Sequence, residues 1–416
     1  MNETDETNES NGNFNAPSEI GKFQTLALGV GVIGMIAMLA GALLTGEIGQ
    51  ALRSYLLGFT FWAGIGIGCI GVLILQHLTG GSWGLVIRRI LEAGAKTWWL
   101  LLVLFLPILF GVNSLYEWAA YHTGGHHGDK ILDHKAPYLN VPFFVIRTLI
   151  YFAVWGAIAI ILTRLSRRQD ETGDWKISSS MNRFSGPAMI AFVLAVTFAA
   201  IDWVMSLDPH WFSTMFGLLF VIGWALSCMA FVIALSFWLS GRAPMNHVLG
   251  APHFHDLGKL MLAMVMVWAY FNFSQFLIIW SGNLPEETPW YLRRMEHGWG
   301  VVGMLLILFH FAFPFLLLLS SDLKKRARWL ALLAIFVLFM RLVDLFYLIT
   351  PNPLPAVGGD AHPTMAFHIS WMDFVAPLAI GGLWLFYFFM QLRKRPLMPV
   401  NDPFFENAIA RGSEHH

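Results

Sequence analysis

The sequence predicts an all-α polytopic membrane protein with about ten transmembrane helices. Three observations predict it. Of 416 residues, 56% are hydrophobic and only 12% charged, against about a quarter charged in ordinary soluble domains. The apolar residues fall into ten runs, each long enough to cross a hydrocarbon core of about 30 Å as a helix. The alternating pattern of a membrane β-barrel is missing from those runs, which leaves helices as the spanning structure.

In order, the runs are 23–45, 52–76, 97–118, 143–165, 186–206, 211–240, 257–281, 298–320, 327–349 and 368–392. Residues 1–21 are acidic and Asn-rich and read as a disordered tail without the basic start of a signal peptide. The transmembrane domain is expected over 22–395, and a C-terminal tail over 396–416. Runs two and six each set a cysteine, Cys69 and Cys228, among small residues, which hints at two bundles of similar build. Gly64, Gly66, Gly68 and Gly71 read as close-packing positions between helices.

Orientation follows from the basic residues. Alternate loops carry Arg88, Arg89 and Lys96, then Arg164 to Arg183, Arg242 and Lys259, Lys324 to Arg328, and Arg393 to Arg395. The opposite loops hold Arg53, Lys130, Lys135, Arg293 and Arg294. The bias is about three to one and predicts that both termini are cytoplasmic. Trp98, Trp99, Trp118, Trp211, Trp290 and Trp299 fall near the predicted boundaries, where amphipathic rings sit well.

Several classes of chemistry are excluded. Net charge is zero, so no bulk field draws nucleic acid. Two cysteines cannot hold an iron–sulfur cluster, and no C-x-x-C-H run would attach haem c. Only His310 lies mid-membrane, with His77 and His368 nearer the ends of their runs, so a transmembrane haem is not expected. A Walker-type nucleotide loop is missing. The loop bearing His122, His126, His127, Asp129, Asp133 and His134 has loose spacing for a metal and reads as a solvated or subunit-contacting loop. No metal is assigned.

What remains is intramembrane charge, which is costly and marks either a pathway or a structural pair. The candidates for proton transfer are Glu117, Arg147, Asp202, His310, Arg341, Asp344 and Asp373. All but His310 fall in the predicted outer half of the bilayer. Each has a plainer reading. Arg341 and Asp344, three apart, share a helix face and neutralise each other. Asp202 braces the turn Leu207–His210. Glu117 and Asp373 lie at the interface. His310 is a satisfied core histidine.

Three segments carry a resemblance: YLLGFTFWAGIGIGCIGVLILQHLTGGSWG at 55–84, IDWVMSLDPHWFSTMFG at 201–217, and WAYFNFSQFLIIWSGNLPEETPWYLRR at 268–294. The chain resembles the ActF family, membrane subunits of bacterial alternative complex III, within the wider NrfD or polysulfide-reductase membrane-subunit superfamily. The resemblance covers nearly the whole chain except the acidic tail. It implies ten helices, two internal four-helix bundles with two flanking helices, and the bacterial inner membrane. It implies an assembly that oxidises quinol and passes electrons to cytochrome c or an adjoining oxidase. The partners would be the paralogous ActC subunit, an iron–sulfur subunit and c-type cytochrome subunits, beside membrane lipids. Haem c and the iron–sulfur clusters would sit in those partners, with no cofactor bound by this chain. Its implied role is a proton path without redox chemistry of its own. A quinol-binding subunit in its own right, with an apolar cleft ending in His or Asp, and a purely structural anchor stay open as alternatives. A secondary transporter is the weaker fourth.

Overall fold

The computed structural model describes residues 14–124, 128–355 and 367–413. Among these the regular structure is helical throughout, and ten spans are long and apolar enough to cross a membrane. The chain is thus an all-α polytopic membrane protein. Helices α1 (Ile20–Thr45) and α2 (Ile48–Thr79) are the first two spans. The third, Ser82–Phe110, is broken at Lys96–Thr97 into α3 (Ser82–Ala95) and α4 (Trp98–Phe110). There follow α5 (Val141–Thr172), α6 (Trp175–Trp203), α7 (Phe216–Ser240), α8 (Ala251–Gly282) and the short α9 (Thr288–Met295). Span α10 (Trp299–Leu319), α11 (Ala327–Ile349) and α12 (Met372–Leu392) complete the set, and α13 (Phe405–Ser413) lies beyond it.

Two four-helix groups form the body. The first is α2, α3–α4, α5 and α6; the second is α7, α8, α10 and α11. Helices α1 and α12 pack together against α2. Small residues decide where helices approach. A Cβ added at Gly68 would lie 2.4 Å from the Trp224 carbonyl oxygen, and one at Gly64 would lie 2.6 Å from the Trp224 ring. The α2 glycine stripe therefore seats α7, the first helix of the second group, directly on the first helix of the first. Cys69 and Cys228 meet at that contact, with Sγ atoms 3.5 Å apart and both thiols free.

Several expectations are corrected here. Arg88 and Arg89 are not loop residues: they lie buried within α3. Trp118, Trp211, Trp290 and Trp299 are buried rather than spread along a lipid interface, and Trp211 stacks on Trp290 at 4.5 Å. Residues 14–21, expected in the disordered tail, hold Phe14 edge-on to Phe405 at 5.7 Å, and α1 already begins at Ile20. The stretch from 396 carries α13 and pairs the Leu397 N–H with the Phe14 carbonyl at 2.7 Å. The two ends of the described chain thus lie on one side of the body. Residues 1–13, His126 and His127 fall outside the described residues.

Candidate functional site

The seven candidate residues separate into three polar clusters and one outlier. Asp344 anchors the first. It sits on α11, one helical turn from Arg341, so their side chains meet and pair; both are buried. The Trp268 indole on α8 donates to Asp344 Oδ2 at 3.2 Å, and Arg341 Nε reaches Ser227 Oγ on α7 at 3.4 Å. His310 faces the same place from α10. Its ring stands edge-on to Trp268 with centroids 4.3 Å apart. It is fully buried, and among the described residues neither ring nitrogen has a hydrogen-bond partner. This goes against the reading of His310 as a core histidine satisfied by neighbouring protein groups. The helix carrying it is π-helical over Leu306–Ala312, a local underwinding that concentrates at functional sites. Pro314 follows two residues after Ala312, and its missing N–H suits a stretch where the ordinary hydrogen-bond ladder has slipped.

A cleft of about 800 Å³ opens beside this cluster between α8, α9, α10 and α11. Asp344, Trp268, Asn272, Gln275, Tyr291 and Tyr347 place polar groups on its wall, amid Phe273, Phe276, Met304 and Ile307. Phe273, Met304 and Ile307 are also exposed on the outer surface of the bundle. Gln275 holds Ser213 Oγ at 3.0 Å and the Tyr291 hydroxyl at 3.3 Å. Tyr291 lies between spans, and burial raises its hydroxyl to about 12, so it stays protonated and can donate. Arg294 closes the end of the cleft. Its guanidinium stacks on Trp290 at 3.6 Å and donates to the Tyr347 and Leu348 carbonyls at the end of α11, at 3.2 and 3.0 Å. Burial pulls Arg294 down to about 9, which leaves it cationic at neutral pH, where it complements the negative end of the α11 dipole.

Asp202 anchors the second cluster. It is fully buried near the end of α6 and accepts two hydrogen bonds from Arg147 on α5, at 2.8 and 3.0 Å, and one from the Tyr151 hydroxyl at 2.6 Å. Arg147 also donates to the Tyr138 carbonyl at 2.8 Å and stacks on the Tyr138 ring at 3.8 Å. The carboxylate does not brace the turn after α6; its backbone carbonyl does, accepting from Ser206 Oγ at 2.5 Å. Arg147 and Tyr151 occupy the Asp202 carboxylate, whereas Asp344 in the second bundle borders an open cleft.

Asp373 forms the third cluster. Near the start of α12 it accepts from the Ser370 N–H at 2.9 Å, in the manner of a cap, and from Ser54 Oγ on α2 at 2.5 Å. Gln50 also donates to it, at 3.4 Å, and Arg53, which donates to Gln50 Oε1, reaches the Thr350 carbonyl at the C-cap of α11, at 3.0 Å. Glu117 stands apart, half-buried in the first turn of the helix Glu117–Thr123, on the side of Arg293. Among the described residues, no direct side-chain hydrogen bond joins the three clusters. A relay running through Asp202, Asp344 and Asp373 would need water or movement between them.

A fourth cluster was not foreseen. Arg88 donates to Asp402 at 2.7 Å, Gln169 at 3.1 Å, Ser166 at 3.2 Å and Glu92 at 3.3 Å. Arg89 pairs with Glu92 at 2.7 Å and Asp170 at 2.5 Å. In sequence the signal was present only as Arg88, Arg89 and Glu92 at one-turn spacing; their partners come from α5 and the C-terminal segment.

Among the described residues, no group of three or more His, Cys, Asp or Glu side chains has the geometry to hold a metal. No family model matches the chain, and no curated protein matches it. The fold and site together define a multi-pass helical membrane protein with buried acid–base pairs in each of two bundles.

Proposed function

We propose that this chain is a non-redox membrane subunit of a quinol:electron-acceptor oxidoreductase, contributing a proton-transfer path. On the sequence resemblance, the complex is alternative complex III and the subunit stands in the ActF position. Its neighbours are then ActC, an iron–sulfur subunit and c-type cytochromes, in the bacterial inner membrane with both termini cytoplasmic. The observation that carries the reading is the buried Arg341–Asp344 pair next to His310, an imidazole in a π-helical turn whose nitrogens bond to none of the described residues. Ionisable groups at such depth are costly, and where they occur they mark a functional path or a structural pair. Protons would exchange at Asp344, with Arg341 holding its charge and His310 as the next acceptor; Asp202 with Arg147 would act in the first bundle. The test is Asp344→Asn in the assembled complex, reading protons released per electron with turnover. A lowered proton ratio at near-normal assembly is expected; unchanged ratio and turnover would sink the path.

One observation favours a second reading, a quinol site in this chain. The cleft beside Asp344 has an apolar mouth and a polar wall that suits a hydroxyl-bearing ring on an apolar tail. A photoreactive quinone analogue that labels α8 or α10, and is competed away by quinol, would support it. Labelling confined to other subunits would reject it.

A further inference from the structure

The side of the body that holds both chain ends carries a second large cavity, of about 780 Å³, lined by none of Asp202, Asp344 and Asp373. It lies between the end of α2, the start of α3, the start of α6 and the C-terminal segment. Three features of its wall belong together. First, α3 begins just after its N-cap residue Gly81, which has φ +94° and supplies no side-chain cap. The first-turn N–H groups of a fourteen-residue helix thus present uncompensated positive charge. The neighbouring α6 differs: the Asp174 carboxylate caps it, accepting from the Lys176 N–H at 2.9 Å.

Second, two side chains on the wall are nine-tenths buried with polar atoms left over. Gln76 is 6% exposed and His77 9%, and among the described residues Gln76 Oε1 and His77 Nε2 have no hydrogen-bond partner. Gln76 is held over the first turn of α3, because residue 84 is glycine; an added Cβ there would lie 2.0 Å from Gln76 Cγ. A buried amide and imidazole without partners are costly unless something completes them. Third, the charge balance is positive. Arg411 donates to Ser82 Oγ at 3.0 Å and to Asp256 at 2.6 Å, but Lys259 shares that same carboxylate at 3.4 Å. Asp402, the other acid on the wall, is already matched by Arg88.

We infer that this cavity seats the head of an anionic phospholipid, its phosphate on the α3 N-terminus and Arg411, and its head hydroxyls on Gln76 and His77. The mouth decides for a lipid over a soluble phosphate: Trp175 and Phe404, 65% and 62% exposed, offer apolar surface where acyl chains would leave. A phosphodiester satisfies the open N–H groups, as anions do at helix N-termini generally. A glycerol head adds the donor and acceptor that a buried amide and imidazole require. The site does not depend on the proton-path reading, and the lipid would tie the C-terminal segment to α2 and α3.

Full-length protein in detergent, titrated with phosphatidylglycerol, phosphatidylcholine or inorganic phosphate, tests it by native mass spectrometry and thermal midpoint. Phosphatidylglycerol should be retained and raise the midpoint, and the other two should not. Ser82→Asp puts a carboxylate at the α3 N-terminus, which favours the helix by itself. It should weaken phosphatidylglycerol binding about tenfold or more, the scale of one lost charge-assisted contact, without lowering the lipid-free midpoint. Arg411→Gln should weaken binding similarly. Equal retention of the two lipids, or wild-type binding in both variants, overturns the site. A response to inorganic phosphate matching that to phosphatidylglycerol overturns the lipid assignment.

Discussion

His310 and Trp268 meet edge to face at 4.3 Å across α10 and α8, and among the described residues both imidazole nitrogens stand without a hydrogen bond. The same indole donates to Asp344, so one aromatic ring separates an unsatisfied base from a buried acid. Burial disfavours such a base in either protonation state. Replacing an unsatisfied polar group by an apolar one of similar size removes a penalty of about 1–3 kcal/mol. His310→Leu should therefore raise the thermal midpoint of the purified protein while lowering proton output in the assembled complex. A midpoint that falls instead would mean that the imidazole is satisfied by water within the membrane.

The Arg147–Asp202 pair predicts the opposite response. Both charges are held in a closed site, with Tyr151 completing the carboxylate. Removing the cation leaves Asp202 buried and unpaired, at a cost of about 3–5 kcal/mol. Arg147→Gln should lower the midpoint sharply, and Arg147→Lys should recover only part of it, because an ammonium cannot make the two parallel bonds of the guanidinium. The double variant Arg147→Gln with Asp202→Asn should be more stable than Arg147→Gln alone. Midpoints measured for these variants decide the matter; additive losses would show that the pair is not coupled.

Much of the fold was legible because membrane crossing demands long apolar runs, and ten such runs are plain in composition. Boundaries were less so. Helices α2 and α5 run past their expected ends, to Thr79 and Thr172, since their last turns are polar and carry no hydropathy signal. Arg341 and Asp344 could be paired in advance because helical geometry alone brings residues three apart together. Arg147 and Asp202, 55 residues apart, could be recognised as intramembrane charges but not as partners. The buried Arg88–Arg89–Glu92 cluster read as a loop because its counter-charges, Asp170 and Asp402, arrive from distant segments. The tryptophans misled for a related reason: a ring near a boundary can stack on another ring, as Trp211 does on Trp290, and leave the lipid interface.

The α2–α7 contact makes a steric prediction. Gly68 has no room for a methyl group against the Trp224 carbonyl, and Gly29 on α1 has open space around it. Overpacking of this kind costs about 1–3 kcal/mol. Gly68→Ala should lower the thermal midpoint and weaken the contact that brings Cys69 to Cys228, while Gly29→Ala should leave both unchanged. Equal midpoints for the two variants would show that the bundles do not rely on this approach.

Outside the membrane, Asp129 predicts a pH response. Partial burial pushes its carboxyl upward, but the His210 ring at 2.7 Å and the N–H groups of Leu132 and Ile131 outweigh that and hold it below the ordinary range. A lowered folded value means that Asp129 stabilises the helix Lys130–Lys135 fully above the unfolded carboxyl range, near about pH 4. That contribution fades as pH falls through the folded value. Hydrogen exchange at the Ile131 and Leu132 amides should therefore be protected at neutral pH and accelerate, beyond the intrinsic rate change, only in acid. Asp129→Ala should remove the cap at every pH and with it the difference between neutral and acid protection. Protection that persists in the variant would assign the stability of this helix to Lys135, which reaches the Pro209 carbonyl at 2.5 Å, instead of to the carboxylate.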